Sequence, residues 1–128
     1  MFGIFPDKTA TISGLSIRNG QTGIWNERGT LTVSNCAVSG NSEVGLGNDG
    51  MLTVSNCVVS GNPGVGIYNS HYVLTVSYCD VSGNSYGIYN DHGEQASVIA
   101  SLAAINTAAS LTMACQAAQI TTFLASLL

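Results

Sequence analysis

The sequence contains few charged residues, and its shortage of basic ones argues against one broad class of partner. Lysine and arginine together number 3 in 128 residues, against 7 aspartates and glutamates, and charged residues make up 8% of the chain. A protein that neutralises nucleic-acid phosphates needs clustered lysines and arginines. We therefore expect no nucleic-acid partner.

Long hydrophobic runs are also missing from the first three quarters of the chain. The first residues, MFGIFPDK, lack the basic segment and the apolar run of a signal peptide. No segment within residues 9–93 has the length of apolar sequence that spans a bilayer. Membrane insertion is therefore not expected, whereas a hydrophobic content of 45% predicts a folded chain.

What the chain does contain is a repeat of about 21 residues. Three copies read TLTVSNCAVSGN from Thr30, MLTVSNCVVSGN from Met51 and VLTVSYCDVSGN from Val73, and a divergent copy begins at Ala10. A second element such as VGIYN follows each copy. Alternating apolar positions and frequent β-branched residues indicate strands, while glycine and asparagine between them suit turns. The repeat therefore predicts an all-β fold with three short strands per coil.

Stacked coils place equivalent residues in columns that run along the stack. The predicted inward columns are Ile12/Val33/Val54/Val76, Leu15/Cys36/Cys57/Cys79, Val38/Val59/Val81 and Ile24/Leu46/Ile67/Ile88. Two asparagine columns are predicted to form amide ladders, Asn41/Asn62/Asn84 and Asn26/Asn48/Asn69/Asn90.

The strings GLSIRNG, GIWN, TLTVSNCAVSGN and GIYN resemble the parallel β-helix repeats of large bacterial surface and secreted proteins. These include the polymorphic outer-membrane-protein type of repeat and the pectin-lyase-like superfamily. VSGN at Val38, Val59 and Val81 is similar to the short FxxN repeat of the first group, with valine in place of phenylalanine. The resemblance implies a right-handed parallel β-helix of about four to five coils and an extracellular or cell-surface location. It does not select a function, because the fold hosts lyases, hydrolases, adhesins and ice-binding proteins.

The composition changes after Gly93, which divides the chain into coils over residues 1–93 and a tail over residues 94–128. Residues 95–128 contain no glycine, proline or charged side chain. ASVIASLAAINT is compatible with one more degenerate coil. The spacing of Ile120, Phe123, Leu124 and Leu127 favours a helix that covers the open end of the stack.

The candidate ligand-binding side chains are aromatic residues at one outward position of the repeat. Trp25, Tyr68 and Tyr89 share this position, and Gly47 interrupts the column. Aligned exposed rings are suited to stacking on sugar faces, and the neighbouring acidic and asparagine side chains are suited to bonding sugar hydroxyls. The leading hypothesis is a non-enzymatic structural or binding segment of a cell-surface or secreted protein that contacts a polysaccharide or cell-surface glycan.

A second hypothesis rests on outward hydroxyl side chains, which form one threonine and one serine column. The residues are Thr11, Ser13, Thr32, Ser34, Thr53, Ser55, Thr75 and Ser77. The grid resembles the Thr-x-Thr faces of β-helical ice-binding proteins, with serine in the second column. Threonine and serine are also ordinary residues for a strand that faces solvent.

Cysteines and histidines predict no metal site or cofactor. The cysteine column lacks the CxxC-type spacing of zinc sites, so these residues are expected to be small buried hydrophobes. His71 and His92 lie one coil apart near Asp49 and Asp91, but the sequence offers no third strong ligand.

Catalysis is not expected either. Most acidic residues fall at turns, one per coil, and no loop insertion is present to enclose a substrate. A fragment of a polysaccharide lyase or hydrolase is the third hypothesis.

Overall fold

The computed structural model describes residues 1–91, 97–101, 111–113 and 119–123. The strands within these residues are, in chain order, β1 Phe2–Ile4, β2 Thr9–Ser13, β3 Ser16–Arg18, β4 Thr22–Asn26, β5 Thr30–Ser34, β6 Ala37–Ser39, β7 Val44–Asn48, β8 Met51–Ser55, β9 Val58–Ser60, β10 Val65–Asn69, β11 Val73–Ser77, β12 Asp80–Ser82, β13 Tyr86–Asn90, β14 Ser97–Ser101, β15 Leu111–Met113 and β16 Gln119–Phe123.

The strands form three parallel sheets, and the chain visits the sheets in turn. Sheet 1 contains β1, β4, β7, β10, β13 and β15; sheet 2 contains β2, β5, β8, β11, β14 and β16; sheet 3 contains β3, β6, β9 and β12. Four complete coils lie in the described part: coil 1 is β2–β4, coil 2 is β5–β7, coil 3 is β8–β10 and coil 4 is β11–β13. The prediction of an all-β parallel β-helix is therefore confirmed.

Turn residues explain why the strands end where they do. Asn35 and Asn56 have φ angles of 52° and 51° in the turns from sheet 2 to sheet 3, and Tyr78 has 52° in the same turn of coil 4. Asparagine tolerates this left-handed backbone better than most residues. Gly40 has φ 64° in the following turn, where a side chain would add strain.

The interior contains the predicted columns and one more, Leu31/Leu52/Leu74, because each residue pairs in register with its copies. Val33 pairs with Val54, which pairs with Val76, and all three are at most 1% exposed. The cysteine and isoleucine columns are equally buried in coils 2 to 4. Leu15 is the exception at 44% exposure, because β2 and β3 have no strand below them among the described residues.

Both predicted amide ladders form inside the stack. Asn26 Nδ2 donates to Asn48 Oδ1 at 2.8 Å, and Asn48 Nδ2 donates to Asn69 Oδ1 at 2.7 Å. Asn41 Nδ2 donates to Asn62 Oδ1 at 3.2 Å in the second ladder. These amides satisfy turn carbonyls and each other, so they stabilise a buried polar seam rather than a surface.

The structure agrees with the extra coil predicted for the tail and disagrees with the predicted helix, as far as the tail is described. Ser97–Ser101 pairs in register with β11, as a further coil would. Gln119–Phe123 is a strand paired with Ser97–Ser101, so the helix expected at Ile120 and Phe123 is wrong. Ile120 and the two threonines after it are β-branched, which favours a strand over a helix. Leu124 and Leu127 lie outside the described residues.

Candidate functional site

The three aromatic residues lie in a row on the outer face of sheet 1, as their repeat position predicts. The rings of Trp25 and Tyr68 stack with centroids 6.1 Å apart and planes inclined by 22°. Tyr68 and Tyr89 stack at 5.9 Å and 10°. Trp25 reaches Tyr68 across the intervening coil because Gly47 has no side chain: an added Cβ there would lie 2.1 Å from Trp25 Cε3.

This stacking decides which parts of the rings solvent can reach. Tyr68 is held between two other rings, and all three row residues are half-buried. Tyr86 adds an edge-to-face contact to Tyr89 at 5.7 Å and is 47% exposed. Tyr68 therefore presents ring edges to solvent, whereas Trp25, at the end of the row, has a stacked ring on one side only among the described residues.

The asparagines next to the aromatic row point into the core and do not reach the surface. Asn26, Asn48, Asn69 and Asn90 are fully buried, so the expectation that asparagine side chains here bond sugar hydroxyls is wrong. The physical reason is the alternation along β4, β7, β10 and β13, which turns the residue after each outward aromatic into the core.

A carboxylate does lie beside the row. Tyr68 Oη donates to Asp91 Oδ2 at 2.6 Å. Burial, reinforced by the nearby Asp91 carboxylate, raises the pKa of Tyr68 to about 12, so the hydroxyl stays protonated. Asp91 is therefore held as an acceptor at the edge of sheet 1.

The hydroxyl grid on sheet 2 has the predicted register. Thr11 pairs with Thr32, Thr32 with Thr53, and Thr53 with Thr75. The serine column is equally aligned, and Ser34 Oγ donates to Ser13 Oγ at 3.1 Å. Thr11, Ser13 and Thr53 are exposed, whereas Thr32, Ser34, Ser55, Thr75 and Ser77 are half-buried.

The turns that connect sheet 1 to sheet 2, here called the corner turns, bring several charged side chains together. Asp49 Oδ1 lies 3.0 Å from His71 Nδ1, and Asp49 Oδ2 lies 3.9 Å from Arg28 Nε. Ser70 Oγ lies 2.6 Å from the same His71 nitrogen. No group of three metal-binding side chains occurs in the described part of the chain, and His92 lies outside it.

A surface groove of about 420 Å³ at the corner turns was not predicted from the sequence. Its lining residues are Pro6, Asp7, Arg28, Gly29, Thr30, Gly50, Met51 and Tyr72. The signal that would have found it is the length of the corner turns. Residues 27–29 and 70–72 form turns of three residues, whereas Asp49 and Gly50 form a turn of two.

The cysteines have a structural explanation. Cys36, Cys57 and Cys79 are free thiols, each at most 3% exposed. Cys57 Sγ accepts the backbone N–H of Cys36 at 3.4 Å and donates to Ser55 O at 3.2 Å. Its hydrogen bond with Cys79 and its burial raise the pKa of Cys57 above the usual value, so this thiol stays protonated. Cys115 lies outside the described residues.

Comparison with known proteins agrees with this geometry. A family model described as "Right handed beta helix region" matches residues 2–118. Neither the curated proteins nor the solved structures contain a match to this chain. Within the described residues, no helix is long and apolar enough to cross a membrane. Three parallel sheets visited in rotation, and a family model that spans most of the sequence, show that this chain belongs to the right-handed β-helix family.

Proposed function

We propose that the chain is a non-enzymatic structural and binding segment of a cell-surface or secreted β-helix protein, and that it contacts glycans on its sheet 1 side. The observation that carries the proposal is the aligned row of Trp25, Tyr68 and Tyr89, which extends over coils 1 to 4. Outward aromatic side chains combine a large apolar surface with a polar atom, which suits a partner that is apolar on one side and hydroxylated on the other.

A non-enzymatic role is supported by how the nearby polar groups are used. Asp49 is engaged by Arg28 and His71, and Asp91 accepts the hydroxyl of Tyr68. Among the described residues, the interior thiols, and the interior amides apart from Asn26 Oδ1 and Asn90 Nδ2, bond to backbone or side-chain partners. Ser70 Oγ lies 2.6 Å from His71 Nδ1, but Asp49 Oδ1 contacts the same nitrogen. The ring is therefore not held by a carboxylate on one nitrogen while the other accepts the serine proton, as a serine nucleophile and its base require.

A glycan array tests the proposal. We expect the parent chain to bind at least one glycan and Trp25→Ala to weaken that binding, because the terminal ring of the row is lost. Tyr78→Ala is the matched control, since Tyr78 is 74% exposed but lies in a turn between sheets 2 and 3. Absence of glycan binding by the parent would remove the glycan part of the proposal.

The in-register hydroxyl grid supports a second candidate, binding to ice by the outer face of sheet 2. Its repeats are about 4.8 Å along the stack and about 6.7 Å along a strand. Ice-recrystallisation inhibition tests it. Thr53→Tyr should abolish inhibition by placing a bulky ring on the grid, while Val58→Tyr on sheet 3, at a position 45% exposed, should not. Equal activity of both variants would exclude the grid as the ice-contacting face.

A further inference from the structure

The groove at the corner turns is created by one short turn between two longer ones. Asp49 and Gly50 join coil 2 to coil 3 with two residues, while the turns before and after them use three. Gly50 cannot carry a side chain, because an added Cβ would lie 2.4 Å from Gly29 O. The floor of the groove is therefore bare backbone, with Arg28 on one side and Tyr72 on the other along the stack.

Tyr72 differs from Tyr68 at the centre of the aromatic row because no other ring in the described part of the chain covers it. Its side chain is 41% exposed and lines the groove. No other ring stacks on it among the described residues, whereas Tyr68 has a ring on each side. The face of an aromatic ring is electron-rich and attracts polarised C–H groups such as those on one face of a pyranose.

The remaining lining residues supply polar groups around that ring. Asp7 can accept and Thr30 can both donate and accept hydrogen bonds, and Arg28 presents several donors. A volume of about 420 Å³ lies in the range of small-ligand sites. From this combination we propose that the groove at the corner turns binds a short saccharide or a saccharide chain end, with Tyr72 as its stacking surface.

The charge of the groove selects neutral sugars over acidic ones. Arg28 is the cation of the lining, and Asp49 lies 3.9 Å from its Nε. Asp7 contributes a further negative charge to the same wall. A sugar carboxylate would approach one arginine and two aspartates, so repulsion offsets the attraction. A neutral hydroxyl has no such penalty and can use all of these groups.

The backbone of Arg28 is unusual for an arginine. Arg28 has φ 56°, a left-handed conformation that costs a side chain other than glycine about 1–2 kcal/mol. Glycine is the residue that would fit this turn without strain. Arg28 places a guanidinium at the groove at a cost in stability. Tyr78 adopts the same conformation away from the groove, so the groove lining, and not the backbone strain, carries the proposal.

This inference rests on the proposed glycan-binding function and adds a second contact surface to the aromatic row, so the experiment separates the two. Binding of neutral hexose oligosaccharides, and of the same oligosaccharides oxidised to uronic acids, is measured by titration calorimetry for parent, Tyr72→Ala, Tyr72→Phe and Trp25→Ala. Tyr72→Ala should bind neutral sugars about tenfold more weakly. Tyr72→Phe keeps the ring and should stay within about threefold of the parent. Circular dichroism checks that each variant is folded.

Arg28→Gly provides the second measurement. Binding should weaken while the thermal midpoint stays equal or rises, because the strained backbone is relieved. Binding by the parent that Trp25→Ala abolishes and Tyr72→Ala leaves unchanged would overturn the inference but keep the proposed function. Absence of binding to every sugar would overturn both. Tighter binding of the uronic acids would overturn the assignment to neutral sugars.

Discussion

Removing one amide from the buried ladder should destabilise the protein far more than removing an exposed amide. Asn48 is fully buried; its Nδ2 donates to Gly50 O at 2.7 Å and to Asn69 Oδ1 at 2.7 Å, and its Oδ1 accepts the Gly50 N–H at 3.2 Å. Asn48→Ala removes the partner of Gly50 O, of the Gly50 N–H and of Asn69 Oδ1, and Asn26 Nδ2 loses one of its three acceptors. A buried group without its partner costs about 1–3 kcal/mol. Three such groups give an expected loss of about 3–9 kcal/mol, a large part of the typical stability of about 5–15 kcal/mol.

Urea unfolding followed by circular dichroism measures this loss. Gln21→Ala is the matched control, because Gln21 Nε2 donates to Glu43 at 2.7 Å on the exposed surface, where a bond contributes little. Asn48→Asp adds a pH test: a protonated carboxyl can still donate to Asn69 Oδ1, whereas a carboxylate cannot. Relative to the parent, this variant should be more stable at about pH 4 than at about pH 8. Equal destabilisation by Asn48→Ala and Gln21→Ala would refute the reasoning.

Three further predictions concern individual columns. Gly47→Ala should displace the Trp25 ring from Tyr68, because the new Cβ would lie 2.1 Å from Trp25 Cε3. We expect a red shift in the fluorescence emission of the single tryptophan and a loss of stability of about 1 kcal/mol. Cys57→Ala should be about 1 kcal/mol less stable than Cys57→Ser, since only serine keeps an acceptor for the Cys36 N–H; chemical unfolding of both variants compares them. Tyr68 should titrate near pH 12 by phenolate absorbance, and Asp91→Asn should lower that pKa. Because the folded pKa is raised, the stability contributed by Tyr68 is present below about pH 10 and lost as the pH rises through about 12.

The interior could be predicted from the sequence because the repeat itself imposes it. Val33, Val54 and Val76 must pair once coils stack in register, and the same holds for the asparagine ladders. A period of about 21 residues with alternating apolar positions leaves little freedom in which side chains point inward. Leu15 is predicted to be buried but is exposed, because no strand lies below it among the described residues.

The outer surface was harder to predict, because side-chain directions and turn lengths decide it. The repeat predicts the outward position of Trp25, Tyr68 and Tyr89. Their mutual stacking depends on the side chain of Trp25 lying over Gly47, and the aligned sequence does not show this side-chain direction. The groove depends on a turn that is one residue shorter than its neighbours. That difference is visible in the sequence only after the strand ends are known, so the sequence alone does not identify Tyr72 as a groove residue.

Binding residues in such a stack are expected at positions where the coils differ, because the residues that the coils share pack and hydrogen-bond the coils together. Gly47 replaces an aromatic residue in coil 2, and the short Asp49–Gly50 turn directly follows the same strand. Arg28 in the turn before coil 2 adopts a strained backbone, and Tyr72 lies in the turn after coil 3. These four departures lie at sheet 1 and the turns that follow it, whereas Tyr78, which takes the place of Asn35 and Asn56, lies in the turn from sheet 2 to sheet 3. A glycan bound on the threonine and serine columns of sheet 2, where the coils are alike, would contradict this link between irregularity and binding.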